Sequence, residues 1–319
     1  MNLSQVQESA EQLCKNLSTV ILGKEEVIRK VVLSMLCGGH ILLEDMPGTG
    51  KTTLAKALAK SIRCDFKRVQ FTPDLLPSDL TGINFYNQKE GEFVFKQGAV
   101  FTNILLGDEI NRATPRTQSS LLECMEERQV SVDGVTYPLP QPYLVIATQN
   151  PIEVQGTFPL PEAQLDRFFL KLKMGYPDTA FETKMLTGAV RSAPIDSLES
   201  VLDGNDVLEM QKAVRQVKIS DSIAGYMVRL AGATRSHEKV RLGVSPRGTL
   251  ALMRASQAHA AMEGRDYVLP DDVKAVVPDV WSHRMICKGY GIGQSADAPR
   301  EILEILLRQV EVPTETVSQ

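Results

Sequence analysis

No Cys-x-x-Cys pair, no histidine pair at metal-ligand spacing and no apolar run of membrane-spanning length occurs in the 319 residues. The five cysteines (Cys14, Cys37, Cys64, Cys124, Cys287) are odd in number and dispersed. That excludes a disulfide framework and a zinc site, and leaves the thiols as small hydrophobes. The histidines are as scattered, and His40, just ahead of an apolar stretch, reads as structural. The longest apolar run, Val31 to Leu36, is far short of the roughly 20 residues a bilayer requires. Met-Asn-Leu-Ser-Gln-Val-Gln-Glu at the start carries neither the basic nor the apolar region of a secretion signal, so a cytoplasmic location is expected. An excess of positive charge is also missing: the net charge is −4, and basic residues alternate with acidic ones, as where Asp65 interrupts Arg63 to Arg68. Nucleic-acid binders present a basic face, so a protein partner is expected and nucleic acid is not.

What is present is ordinary for a soluble globular chain of two domains, with 43% hydrophobic and 23% charged residues. In the first half, short apolar strands at Ile41–Leu43, Phe66–Phe71, Ile104–Leu106 and Tyr143–Ala147 alternate with helical stretches. One helix carries Leu54, Ala55, Leu58, Ala59 and Ile62 on one face. Another opens at Thr114-Pro115, with Thr114 as N-cap. The alternation predicts an α/β domain with a largely parallel sheet, ending at residues 143–147. Two hairpins interrupt it. One turns at Asp133-Gly134 and the other, across Ile83 to Phe95, at residues 87–91. From Asp178 onward the strand signals stop. Helices are expected from Asp178, near Asp206, and at Ser220, Ser245-Pro246 and Pro270, making residues 178–319 an all-helical domain after a core of residues 1–177.

Pro47-Gly48-Thr49-Gly50-Lys51-Thr52 lies between an apolar strand and an amphipathic helix, the setting a phosphate-binding loop needs. Its glycines let backbone N–H groups curl around phosphates at a helix N-terminus. Lys51 would reach the β- and γ-phosphates, Thr52 would ligate Mg²⁺, and Thr53 would lie against the α-phosphate. Asp45 stands where the general pattern has its first glycine. Ile104 to Glu109 ends an apolar strand in two acids, which are costly there unless they meet a cation. Asp108 suits the Mg²⁺ shell and Glu109 would polarise an attacking water. Asn150, closing the next strand, would orient that water, since ligands collect at the carboxyl ends of parallel strands. A guanine-reading Asn/Thr-Lys-x-Asp element is absent, so ATP is the expected nucleotide.

Two arginines invite explanation. Arg247 sits in the first turn of a helix capped by Ser245, where a cation opposes the helix dipole unless an anion is near. In a helical domain folded over the nucleotide it would contact the γ-phosphate; the alternative is a solvated side chain. Arg167, beyond the Asn150 strand, would serve a neighbouring subunit's nucleotide as an arginine finger, or else pair locally with Asp166 or Glu162. Arg112 and Arg116 are weaker candidates for the same role.

Together, residues 44–52, 108–113, 147–151, 156–168 and 243–247 resemble the MoxR family of AAA+ ATPases, in the branch with an insert in its second helix. The resemblance spans about Val20 to Met285. It implies a P-loop NTPase parallel sheet flanked by helices, followed by an all-helical AAA+ lid domain. It also implies a hexameric ring with ATP between subunits, Val20, Ile21 and Gly23 against the adenine, Asn150 as sensor 1 and Arg247 as sensor 2. The Ile83–Phe95 hairpin would be the insert, contacting substrate. Relatives commonly work with von Willebrand factor A-domain proteins, which makes chaperone-like remodelling of a protein the expected activity. A nucleic-acid motor and an ATP-binding switch with little hydrolysis are the other readings these motifs allow.

Overall fold

A computed structural model describes residues 1–44, 48–150, 156–176, 179–187, 195–288 and 297–313. Five strands form its central sheet: β1 (Ile41–Glu44), β2 (Phe66–Gln70), β5 (Ile104–Asp108), β8 (Leu144–Gln149) and β9 (Leu170–Leu172). They run in the order β2-β5-β8-β1-β9, every pairing parallel. Outside the edge strand β2, whose residues are half-buried or exposed, their apolar runs are buried on both faces, as a parallel sheet requires. Ile41, Leu43, Ile104, Leu106, Leu144, Ile146, Leu170 and Leu172 enter one hydrophobic cluster, while Leu42, Leu105, Val145 and Ala147 enter the other. That division is the two-residue side-chain period of a strand.

The first cluster is roofed by α1 (Leu3–Ser18), α2 (Glu25–Leu36) and α3 (Lys51–Ser61). The second is covered by α4 (Pro77–Thr81), α5 (Pro115–Glu127) and the short α6 (Glu162–Leu165). Two hairpins flank this side: β3 (Gly82–Asn87) with β4 (Glu92–Gln97), and β6 (Gln129–Val132) with β7 (Val135–Pro138). The β6–β7 turn has Asp133 at φ 50° and Gly134 at φ 81°, the two left-handed residues its sequence predicts. The hairpins are tied together by the stacked rings of Phe95 and Tyr137, 4.1 Å apart, and by Asn84 donating to Asp133 at 2.6 Å.

After β9 come α7 (Thr179–Leu186), α8 (Gly204–Val214), α9 (Asp221–Ser236), α10 (Pro246–Met262), α11 (Pro270–Trp281) and α12 (Ala298–Gln309). Ser220 and Ser245 cap α9 and α10 as expected, accepting from the N–H groups of Ile223 and Gly248. Asp203, rather than Asp206, caps α8, and Asp206 returns the bond to the Asp203 N–H. Thr114 holds the N-cap of α5 in extended conformation, but its hydroxyl meets Thr117 Oγ1 and not a backbone N–H. Asp178, the expected start of the first of these helices, lies outside the described residues.

The structure differs from expectation in three places. β9, which follows β8 in the chain, extends the sheet beyond β1; at three residues it is too short to display a period. The second half is not free of strands, because β10 (Val240–Leu242) pairs antiparallel with β11 (Ile286–Cys287). Finally, the hydrophobic core does not divide between the halves. One cluster runs from Val6 and Leu13 of α1 through Leu58 and Ile146 to Leu252, Trp281 and Leu306. Both α1 and α2 pack on α8 and α10. Residues 177 and 178, where the two-domain division was expected, lie outside the described residues.

His40 is buried, and its ring is satisfied on both sides. Nδ1 accepts the Val145 N–H at 3.0 Å, and Nε2 donates to the Met125 carbonyl at 2.9 Å. Burial pulls its pKa down to about 4, and His283 is likewise held well below its ordinary value by burial and the neighbouring Arg284. A histidine kept neutral in the fold contributes stability that is complete above about pH 6.5, the unfolded value, and is lost as the pH falls towards the folded value. Thermal denaturation at pH 7 and pH 5 should therefore show a steep loss on acidification, to which His40 supplies up to about 1.4 kcal/mol per pH unit. His40→Gln should flatten that slope while lowering stability at pH 7; an unchanged slope would remove His40 as the cause.

Candidate functional site

Residues after β1 turn sharply into α3. Gly48 (φ 84°) and Gly50 (φ 88°) both adopt the left-handed backbone that glycine tolerates best. Gly50 is the N-cap of α3 and, as glycine, brings no side chain of its own to the helix's first amides. A helix N-terminus entered through such a turn is of the kind that receives phosphate. Pro47 and Asp45 of the predicted loop lie outside the described residues.

In front of this terminus lies a cavity of about 290 Å³ lined by Gly48, Gly50, Lys51, Thr52 and Thr53. Its far wall consists of Arg68 and Gln70 of β2, Asp108 at the end of β5 with Glu109 just after it, and Thr148 of β8. Seven of the residues singled out in the sequence (Gly48, Gly50, Lys51, Thr52, Thr53, Asp108, Glu109) thus meet at the carboxyl end of the sheet. Thr49 lies between two of them in the chain, and Asn150 follows β8 directly, two residues past Thr148.

The acids are held by a set of hydrogen bonds. Asp108 is buried; Arg68 Nε donates to its Oδ2 at 2.6 Å, and the Thr148 hydroxyl donates to its Oδ1 at 3.3 Å. The same hydroxyl accepts the Glu109 N–H at 2.9 Å, so β8 fixes both acids through one oxygen. Glu109 itself sits at φ 57°, a left-handed conformation unusual for a residue with a side chain and typical of functional positions. Its Oε2 accepts from Gln70 Nε2 at 2.6 Å and from Arg112 at 3.0 Å. Arg112 is therefore engaged beside its own subunit's acid, while Arg116 is exposed on the first turn of α5. Sequence reasoning did not single out Arg68, Gln70 or Thr148. The signal that could have found the first two is polar residues two apart on a strand whose end faces the loop.

Val20 and Ile21 are buried, and Gly23 (φ 68°) turns the chain from α1 into α2. Lys24 donates to the Tyr176 carbonyl at 2.8 Å. Two residues earlier, Met174 lies against the loop, 3.9 Å from where a Cβ on Gly50 would stand. The turn named for the adenine is thus connected through residues 174–176 to the flank of the phosphate loop.

Arg167 and Arg247 are elsewhere. Both line a second cavity, of about 340 Å³, with Gly38, Gly39 and His40, the residues that lead into β1. This is the amino end of the sheet, opposite the phosphate loop. One carboxylate holds both side chains: Glu126, at the end of α5, meets Arg167 Nε at 3.2 Å and pairs with Arg247. Glu126 is the anion that a first-turn arginine in α10 calls for, and the local pairs considered for Arg167 do not form. Asp166 is taken by Arg284 and Glu162 by Arg241. A γ-phosphate contact from Arg247 within its own chain is thus not what this arrangement offers.

Arg284 sets the position of this arginine pair. Its buried guanidinium bonds Asp166 Oδ1 at 2.7 Å and the carbonyls of Phe168 and Phe169 at 2.6 and 3.1 Å, on either side of Arg167. The Ser245 hydroxyl, at the cap of the helix bearing Arg247, donates to Asp166 Oδ2 at 3.2 Å. Arg128 and Arg254 add further positive charge to the cavity. Burial, then Arg215 and Arg254 nearby, pull the Arg128 pKa below its ordinary value, the mark of a site short of anions.

The family model for the ATPase family associated with various cellular activities (AAA) matches residues 40–170, and that for the AAA lid domain matches residues 232–304. The chain is 48% identical over 301 residues to the uncharacterized protein YeaC of Bacillus subtilis, covering 94% of each. It is 39% identical over 303 residues to chaperone MoxR1 of Mycobacterium tuberculosis, covering 92% of this chain and 80% of that protein. A crystal structure of a protein from Cytophaga hutchinsonii superposes with a TM-score of 0.87 at 39% identity, over 98% of this chain and 97% of the other. Phosphate loop, strand-end acids, helical lid and relatives together assign the chain to the MoxR family of AAA+ ATPases.

Proposed function

We propose that the chain hydrolyses ATP at a site shared between adjacent subunits of a closed ring, and uses the turnover to remodel a protein partner. The observation that carries this is the placement of the two charged cavities at opposite ends of one sheet. β1 separates them with four residues, roughly 13 Å of extended chain. Arg167 and Arg247 are held at the amino end by Glu126, away from the phosphates they would stabilise. A phosphate cavity on one face and an arginine cavity on the other make a head-to-tail contact self-completing, and such contacts generate rings when the rotation closes. A hexamer is the ring the family resemblance implies.

Within that site Lys51 and the α3 N-terminus hold the phosphates, and Glu109 orients and polarises the attacking water. Gln70 and Arg112 fix the direction of the Glu109 carboxylate. Asn150 serves as a second guide for that water. Val20, Ile21 and Gly23 form the adenine side. The donor set fits Mg²⁺: a buried carboxylate at Asp108 that already pairs with a cation, and the Thr52 hydroxyl in the same cavity. Both are hard oxygen donors, and Mg²⁺ takes few protein ligands when phosphates supply the rest. Bound there, the ion would neutralise charge on the β- and γ-phosphates. A chaperone-like role is supported by the relative named chaperone MoxR1. A von Willebrand factor A-domain protein as adaptor, and a cytoplasmic location, complete the reading.

Glu109→Gln should lower Mg²⁺-dependent ATP turnover by about 10²–10⁴-fold while leaving nucleotide binding in place, the range expected for a lost general base. Unchanged turnover in that variant would leave the chain a binding switch.

Arg167→Ala should bind ATP yet lose about 10³-fold or more in turnover, and wild-type specific activity should rise with protein concentration. Mixing Arg167→Ala with Glu109→Gln subunits should restore part of the activity, because some junctions then combine an intact acid with an intact arginine. Two dead variants that stay dead on mixing, beside a wild type indifferent to concentration, would mean that each subunit works alone.

A further inference from the structure

Arg68 lies on the wall of the phosphate cavity with its side chain half exposed, and it makes the one ion pair of Asp108 among the described residues. The contact is short and direct, Nε to Oδ2 at 2.6 Å, and the other carboxylate oxygen accepts from Thr148. Each oxygen of the acid therefore has a donor from the protein itself. A carboxylate this buried, 7% exposed, is stabilised by a cation beside it.

On the reading above, Asp108 must also face Mg²⁺. Both oxygens of that carboxylate already have protein donors, Arg68 on Oδ2 and Thr148 on Oδ1, so a divalent ion that approaches it meets the guanidinium as a like-charged competitor. Only one of them is held by the backbone. Arg68 is on an edge strand, β2, with a long side chain and solvent on one side. It can swing away while its Cα stays in register with Leu106 of β5. Once released it remains in a cavity whose other carboxylate, Glu109, is already held by Gln70 and Arg112, which leaves the nucleotide's phosphate as the uncommitted anion of the site.

We propose that Arg68 is the exchangeable counter-ion of the metal-binding acid. It neutralises Asp108 when the site lacks nucleotide, yields it to Mg²⁺, and then pairs with the terminal phosphate. The proposal rests on the cavity being an ATP–Mg²⁺ site. It makes Arg68 a group that opposes metal entry and favours the nucleotide, two effects of opposite sign from one side chain.

Those signs define the test. A fluorescent, non-hydrolysable ATP analogue is bound to wild type, Arg68→Gln and Arg68→Lys, first in EDTA and then across a Mg²⁺ titration, so that turnover plays no part. Arg68→Gln should bind the analogue about tenfold more weakly in EDTA, because Asp108 then faces the phosphates without its counter-ion. The Mg²⁺ concentration giving half the metal-dependent change should fall several-fold, because the competing cation is gone. Arg68→Lys should move both quantities back towards wild type.

An equal loss of affinity with and without Mg²⁺, at an unchanged metal midpoint, would make Arg68 a fixed phosphate contact and overturn the exchange. No change in either quantity would make the pair with Asp108 purely structural, and would overturn it as well. Wild type failing to bind the analogue in a Mg²⁺-dependent way would remove the site assignment itself, an outcome separate from the behaviour of the variants.

Discussion

Parallel pairing of five strands is the constraint from which the rest of this structure follows. It sends every carboxyl end to one side of the sheet and every amino end to the other. Residues far apart in the chain, at 48–53, 68–70, 108–109 and 148, then share one cavity without any of them having to be close in sequence. The same polarity delivers Gly38 to His40, the end of α5 and the start of α10 to the opposite edge. An antiparallel sheet would mix these ends. A parallel one separates them, and a chain so built carries its acid-lined cavity and its arginine-lined cavity on opposite edges of one sheet.

Charge neutralisation is the second theme, and each case uses a borrowed partner. Asp108 takes Arg68, Glu109 takes Gln70 and Arg112, and a single Glu126 serves both Arg167 and Arg247. These contacts differ in depth. Arg284 with Asp166 is buried and reinforced by backbone carbonyls, so removing either partner strands a charge in the core, a loss of about 3–5 kcal/mol. The Glu126 contacts are a third to a half exposed, where ion pairs are worth about 0–1 kcal/mol. The buried pair fixes where the arginines stand; the exposed ones leave them available to a stronger anion.

Local signals were legible and distant ones were not. The glycine turn into α3, the Asp133-Gly134 turn and the Ser220 and Ser245 caps are decided within a few residues, and each forms as its sequence predicts. β9 was missed because three residues carry no period, and β10 and β11 for the same reason. Helix α1 was legible in principle, since Val6, Ala10, Leu13 and Leu17 recur at helical spacing and are all buried. Among the site residues, Lys51 and Asp108 follow from motif and position, whereas Arg68 follows only from knowing that β2 borders β5. Arg247 shows the limit most sharply. Its sequence asks for an anion, but which anion depends on which end of the sheet the lid reaches.

That dependence ties the lid to the core more closely than a two-domain division suggests. Ser245 and Arg284, both from the second half, grip Asp166 in the first, and Arg167 is the next residue. The Trp281 indole donates to the Gly248 carbonyl at 2.8 Å, joining the helix that leads to Arg284 with the helix that starts at Ser245. Hydrophobic packing continues without a break from α1 through the sheet to these helices. A close-packed interior transmits displacement rather than absorbing it. Any movement of α10 or α11 must therefore displace the 166–169 segment with it, and with that segment the arginine pair. The two arginines are in this sense one unit, placed by the lid and loosely held by Glu126, and a change in lid position is a change in what the far cavity presents.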